Sequence, residues 1–236
     1  MRQPSLFQAP SEWIPPENIP NLEEATEIAI DLETHDPGLK TTGPGWAVKK
    51  GKVIGVALAV DGWKGYFPLA HPGGGNFDER IFKRQLKKIL ELPCDKIFHN
   101  AMYDIGWLSA MGLEVKGRIV DTMIATGLID ENRFSYTLRD VSKDFIGETK
   151  SEAGLYEAAK DFGVDAKAEM HLLPAMYVGP YAEQDAAVTL KLWQTLKTEI
   201  IRQELTTVFN LETSLLPVLF HMKRKGVRVD VEKAEL

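Results

Sequence analysis

Cysteine is nearly absent from this sequence, which has Cys94 alone in 236 residues, and histidine is scarce, with five. A single thiol excludes an internal disulfide and fits a reducing compartment. No His or Cys group has zinc-ligand spacing, and no Ser-His-Asp arrangement is apparent. No apolar run is long enough to span a membrane, and Met1-Arg2-Gln3-Pro4 opens the chain without an apolar signal core. The expectation is therefore no membrane partner and a cytoplasmic location. Gly73-Gly74-Gly75 follows an expected strand but lacks the GxGxxG and Lys-Ser/Thr patterns of a phosphate cradle, so it reads as a turn. There is no excess of basic residues: the net charge of -6 argues against a protein that coats duplex DNA through a broad positive surface. It does not exclude nucleic acid as a ligand.

What remains is ordinary globular material, 44% hydrophobic and 26% charged, in a length that buries a sizeable core. Pro4, Pro10, Pro15, Pro16 and Pro20 mark an extended arm over residues 1–25. Strands follow at Ile28 to Thr34, Lys52 to Val60 and Gly65 to Leu69, with Thr41 to Trp46 as a loop and Asp61-Gly62 as a hairpin signal. Short connections predict an antiparallel meander. From Asp78, a suitable N-cap, the period becomes helical, with Ile81, Phe82, Leu86, Ile89 and Leu90 on one face. Lys96 to Phe98 is a strand, Asn100 to Met111 a helix ending at Gly112, Arg118 to Val120 a strand, and Thr122 to Ile129 a helix capped by Asp121. This alternation predicts parallel strands added to the meander, an α/β mixed sheet flanked by helices. Tyr136 to Phe162 reads as short helices broken at glycines. A long helical stretch from Tyr181 to about Lys225 should bend around Asn210 to Pro217. Cys94 beside Pro93 reads as packing.

Three acid-bearing stretches carry the chemistry. Ile28-Ala29-Ile30-Asp31-Leu32-Glu33-Thr34 is an apolar strand ending in acids at i and i+2, so both carboxylates share a face, their Cα atoms roughly 6 to 7 Å apart. Like charges at a buried strand end repel and lose hydration unless cations compensate, so the pair asks for divalent metal. Phe98-His99-Asn100-Ala101-Met102-Tyr103-Asp104 brings a strand to a helix start, with Asn100 and Asp104 one turn apart. Tyr181-Ala182-Glu183-Gln184-Asp185 repeats that spacing after Gly179-Pro180. Each has a plainer reading alone: a strand emerging into solvent, a helix cap with a dipole-matching acid, an amphipathic helix start.

Together, Asp31-x-Glu33, Asn100-x-x-x-Asp104 and Tyr181-x-x-x-Asp185 resemble the DEDD superfamily of 3'-5' exonucleases, tyrosine subclass, over residues 26 to 200. A sister subclass carries histidine where Pro180 stands here. The tail, Leu211 to Leu219 followed by Gly226-Val227-Arg228-Val229-Asp230, is similar to the segment that joins the proofreading exonuclease domain to the polymerase domain in family A DNA polymerases, bacterial polymerase I-like or phage.

The resemblance implies an RNase H-like fold and a division into an arm (1–25), an exonuclease domain (26–205) and the start of a connection to a polymerase domain (206–236), the whole a fragment of a longer polymerase without a 5' nuclease module ahead of it. It implies two divalent ions, Mg2+ or Mn2+, with Asp31 bridging both, Glu33 and Asp185 completing the nucleophile side, and Asp104 acting through water. Tyr181, with an ordinary pKa of about 10, orients the attacking water rather than removing its proton. The implied partners are a single-stranded DNA 3' end or frayed primer terminus and the polymerase domain of the same longer chain. Thr34 would touch the terminal nucleotide and Leu39 would wedge between the last bases, although His35-Asp36-Pro37-Gly38 lengthens the spacing to Leu39. Asn100 is either a sugar-phosphate contact or a cap, and His99 either lines the cleft or is a satisfied core histidine. Trp46, Phe134 and Tyr156 are base-stacking or packing aromatics; Arg139, Lys143 and Lys150 are phosphate contacts or solvated charges. An RNase D-like ribonuclease and a catalytically silent polymerase domain are the alternatives.

Overall fold

The computed structural model describes residues 11–148 and 152–234; Lys150 and the first ten residues of the arm lie outside them. Five strands form one sheet in the order β3-β2-β1-β4-β5: β1 Glu27–His35, β2 Lys52–Val60, β3 Trp63–Pro68, β4 Asp95–Phe98 and β5 Ile119–Asp121. The meander β1-β2-β3 is antiparallel, while β4 and β5 add in parallel, as the helical crossovers require. Asp78 caps α2 (Glu79–Leu90), accepting from the amides of Arg80 and Ile81. The remaining helices are α1 (Gly45–Val48), α3 (Ala101–Ala110), α4 (Thr122–Ile129), α5 (Leu138–Ile146), α6 (Ala153–Phe162), α7 (Ala175–Arg202), α8 (Thr206–Lys225) and α9 (Val231–Ala234). Among the described residues no helix is long and apolar enough to cross a membrane.

Alternation along β1 decides what each face carries. Ile28, Ile30 and Leu32 point into a core with Phe82, Leu86, Leu108, Leu216 and Phe220, contributed by α2, α3 and α8. Ala29 turns to the opposite face, where α7 supplies Val178, Ala182 and Ala186. Asp31 and Glu33 continue that second set, so they lie under α7. Close approach of α7 depends on small side chains: Ala29, Ala57 and Ala59 on the sheet meet Ala182 and Ala186 on the helix, all essentially inaccessible.

Several sequence expectations need correction. Ile81 is half exposed and does not belong to the apolar face of α2. Part of the Thr41 to Trp46 loop is helical, being the start of α1. The long helix begins at Ala175, six residues before Tyr181, and runs through Pro180. Proline removes the amide that would bond the Met176 carbonyl, but the Ser11 hydroxyl donates to that carbonyl at 2.7 Å, so no backbone acceptor is lost. The break falls at Gln203 to Leu205, where Glu204 has φ 60°, and α8 is continuous through Asn210 to Pro217.

Candidate active site

Asp31, Glu33 and Asp185 each place a carboxylate oxygen so that all three lie within 4.8 Å of one another. The first two are presented by β1, opposite Ala57 and Gly55 of β2, and a bulge follows at Glu33/Thr34 that turns the chain away. Gly55 is required here: a Cβ would meet the Tyr66 hydroxyl at 2.0 Å, so the position opposite Glu33 is filled by the Tyr66 ring instead.

Asp104, on the first turn of α3, lies outside this three-acid set but against it. Its Oδ1 accepts the Leu32 amide at 3.2 Å, and it is 4% exposed. Burial first, then the Asp31 carboxylate, hold its pKa well above the ordinary value. Tyr181 responds in the same direction: burial and the carboxylates of Glu33, Asp185 and Asp31 raise its pKa, as does its hydrogen bond to Asp185. Tyr66, fully buried, is raised by burial and then by Glu33 and Asp31. Burial is the first cause for each of the three groups, and the neighbouring carboxylates add to it. The donor set is carboxylate oxygen throughout, which suits hard divalent cations such as Mg2+ or Mn2+ better than soft or imidazole-seeking metals.

The supports around the cluster explain its placement. Asp121, at the end of β5, accepts from the amides of Asn100 (2.9 Å), Ala101 (2.8 Å) and Met123 (2.9 Å), so one carboxylate caps both α3 and α4. Asn100 itself sits at φ 67°, makes no capping bond with its side chain, and is exposed. Of its two readings the cap falls away, because Asp121 does that work. His71 donates from Nδ1 to the Leu173 carbonyl at 2.8 Å, which leaves Nε2 to accept the Tyr66 hydroxyl at 2.6 Å. Glu183 accepts from the Tyr66 amide (3.1 Å) and from Trp13 Nε1 (2.9 Å), pinning β3 and the arm to α7.

Thr34 Oγ1 lies 2.7 Å from the Tyr103 hydroxyl, which also donates to Asp36 at 3.1 Å; burial first, then the neighbouring Asp36 among its causes, push Tyr103 up to about 12. Leu39 is 44% exposed on the turn beyond β1. His99 has both ring nitrogens engaged, with Thr122 Oγ1 and the Tyr136 carbonyl, each at 2.8 Å, which favours the satisfied-histidine reading over substrate contact. Trp46 is core, 8% exposed and packed on Gly106 and Phe220, so it offers no stacking face; Phe134 and Tyr156 are exposed.

Sequence reasoning missed Tyr103, Lys167 and His171. Lys167 Nζ stands 3.8 Å from the centroid of the Tyr181 ring, and His171 Nδ1 lies 2.9 Å from His35 Nδ1. Neither partner pair shares a helix or strand, so no periodicity marks it; Tyr103, one residue before Asp104, was hidden by the i, i+4 count.

A mixed sheet whose central strand ends in acids, closed by a helix bearing a tyrosine and a further aspartate, defines the RNase H-like exonuclease class. A family described as 3'-5' exonuclease matches residues 15–201, and the chain belongs to that family, the exonuclease domain of polymerase I-like DNA polymerases. The chain is 36% identical over 242 residues to a DNA-directed DNA polymerase of Pseudomonas phage M6, covering 99% of this chain and 36% of that protein. It is 31% identical over 220 residues to DNA polymerase I of Pseudomonas aeruginosa, covering 89% of this chain and 22% of that one. The chain therefore spans about a third or less of the length of these relatives. A solved structure of Brucella melitensis NrnC bound to pGG superposes with a TM-score of 0.64 at 20% identity, over 88% of this chain and 90% of that one, and shows the same fold.

Proposed function

We propose that this domain hydrolyses DNA one nucleotide at a time from the 3' end, as the proofreading exonuclease of a longer family A DNA polymerase, using Asp31, Glu33, Asp104, Tyr181 and Asp185. The observation that carries the reading is the convergence of Asp31, Glu33 and Asp185 within 4.8 Å, beside a buried Asp104 and Tyr181, in a chain of the 3'-5' exonuclease family. Two divalent ions, Mg2+ or Mn2+, held by Asp31, Glu33 and Asp185 with Asp104 alongside, would supply an activated water and charge stabilisation for the departing 3' oxygen.

The chain's own groups do the positioning. Tyr181 keeps its proton, because burial and the carboxylates around it raise its pKa, so its hydroxyl orients the attacking water and does not deprotonate it. Asp185, bonded to Tyr181, fixes the ring relative to the acids of β1. Thr34 contacts the terminal nucleotide, the exposed Asn100 contacts the sugar-phosphate near the scissile bond, and Leu39 serves as the wedge. Residues 26–205 form the catalytic unit, with 1–25 an arm and 206–236 the start of the connection. Leu211, Leu215, Val218, Leu219 and Met222 leave an apolar stripe exposed on α8, which supports the polymerase domain as the partner that covers it.

The test is strand polarity and sugar preference. Single-stranded DNA labelled at its 5' end, incubated with the protein and Mg2+, should give a ladder shortening from the 3' side, and matched RNA should react more slowly. Replacing a non-bridging oxygen of the last phosphodiester with sulfur, to give a terminal phosphorothioate linkage, should suppress the ladder in Mg2+. Faster RNA degradation would move the assignment to an exoribonuclease, and no ladder with either would leave a silent domain.

A further inference from the structure

We propose that Lys167 is a substrate-binding residue of this site: its ammonium holds a phosphate oxygen of the strand end that lies over Tyr181, and Glu152 occupies it when no strand is bound. The inference rests on the exonuclease reading and adds to it a cation that no sequence pattern reveals.

A DNA strand entering this cleft is a polyanion that passes beside four carboxylates, Asp31, Glu33 and Asp185 with Asp104 against them. Positive charge at the rim favours the entry of such a strand. Lys167 is placed to provide it, with Nζ 3.8 Å from the centroid of the Tyr181 ring. The position is built from both sides. Asp165 accepts from the backbone amides of Lys167 (2.9 Å) and Ala168 (2.7 Å), and Glu169 accepts from the Asp165 amide (2.8 Å), so the turn that presents the lysine is closed on itself. The ring face of Tyr181 attracts the ammonium, as aromatic quadrupoles do.

Glu152 is the revealing partner. It stands at the N-cap of α6, yet its side chain caps nothing; its Oε1 instead meets Lys167 Nζ at 3.0 Å. The lysine side chain stays 40% exposed and the glutamate 17%, so the pair is half open to solvent and weakly held. A carboxylate oxygen in that place presents the lysine with what a phosphate oxygen would, an anionic acceptor for the ammonium. An incoming phosphodiester can displace it at small cost. Lys40, which acts on Asp165, brings a second positive charge to the same rim from the turn beyond β1.

The experiment measures binding of a short 5'-labelled oligothymidylate to the full chain in Ca2+, across a range of salt, with Mg2+ kinetics alongside. Lys167→Met should weaken binding on the order of fivefold and lower the slope of log affinity against log salt by about 0.7, the share of one single-strand phosphate. Lys167→Arg should restore the slope. Glu152→Gln should tighten binding, and that gain should vanish in the Lys167→Met/Glu152→Gln pair, because it acts through the freed lysine. A merely structural ion pair predicts that both single variants act in the same direction. Same-direction effects, an unchanged salt slope, or a Glu152→Gln gain that persists without Lys167 would each overturn the proposal while leaving wild-type exonuclease activity untouched. A wild type that neither binds nor degrades single-stranded DNA would overturn the exonuclease reading and this assignment together.

Discussion

Burial, and then the carboxylates beside it, raise the pKa of Tyr181, so its contribution is geometric. Tyr181→Phe removes the hydroxyl and leaves the ring under Lys167. It should lower kcat by roughly ten- to a hundredfold, the lower range of a positioned proton-bearing group, with KM for single-stranded DNA little changed. Steady-state kinetics check this; a changed KM with unchanged kcat would make Tyr181 a binding residue only. His71 makes a second prediction, on stability. Burial holds its pKa below the ordinary 6.5, because the imidazole must stay neutral to accept from Tyr66. The folded chain then binds fewer protons than the unfolded chain just below pH 6.5, so stability is full above that value and falls as pH drops through it. His171 is lowered too, by burial, His35 and Lys52, and adds to the same loss. Urea denaturation at pH 7 and pH 5 should show a smaller drop in His71→Gln than in the wild type; equal drops would contradict the neutral, doubly bonded imidazole. The acids of the cluster were legible in the sequence because strand and helix periods put Asp31 with Glu33 and Tyr181 with Asp185. Lys167 and His171 were not, since each meets its partner from a different element and only the fold brings those elements together; Tyr103, beside Asp104 on α3, was hidden by the i, i+4 count.

At the scale of elements, α7 is the piece whose position matters most, and three contacts set it. Ser11 takes the Met176 carbonyl that Pro180 leaves without an amide, Trp13 lies on Gly179, and Glu183 bonds Trp13 and Tyr66. A Cβ on Gly179 would meet the Trp13 ring at 2.2 Å. Gly179→Ala should therefore push the arm off the helix and destabilise the fold by about 1 to 3 kcal/mol, the usual cost of overpacking, as read by urea unfolding. A neutral result would mean that the arm is not seated there in solution. These contacts also show why the helix start was misread. Locally, Gly179-Pro180 is a breaker, and only a hydroxyl at the far end of the chain, 165 residues away, satisfies the carbonyl that makes it tolerable. The strands were more transparent: β2 has the bounds its apolar run predicts, and the Asp61-Gly62 turn sets the register of β3. The break at Glu204 carries no proline or glycine, so nothing in its sequence distinguishes it from the helix around it.

For the whole molecule, the sheet divides two chemistries. One face is closed by apolar packing from α2, α3 and α8, and the other carries acids under α7 that the fold alone does not neutralise. Cations that bind the folded cluster and not the unfolded chain should stabilise it. Mn2+ at a hundred times its dissociation constant corresponds to about 2.7 kcal/mol, and thermal unfolding should move upward accordingly. The same addition to Asp31→Asn should move it less; an unfolding temperature indifferent to Mn2+ in the wild type would argue against the cluster as a cation site. The hydrolytic claim itself is tested most directly by the product of 3'-labelled single-stranded DNA, compared between wild type and Asp31→Asn, with Mg2+ and with chelator. The account predicts that the wild type releases labelled nucleoside 5'-monophosphate only with metal, and that Asp31→Asn loses about a thousandfold in rate while remaining folded, the equivalent of several kcal/mol of charge stabilisation. Undiminished release by Asp31→Asn, or release that continues in chelator, would contradict it.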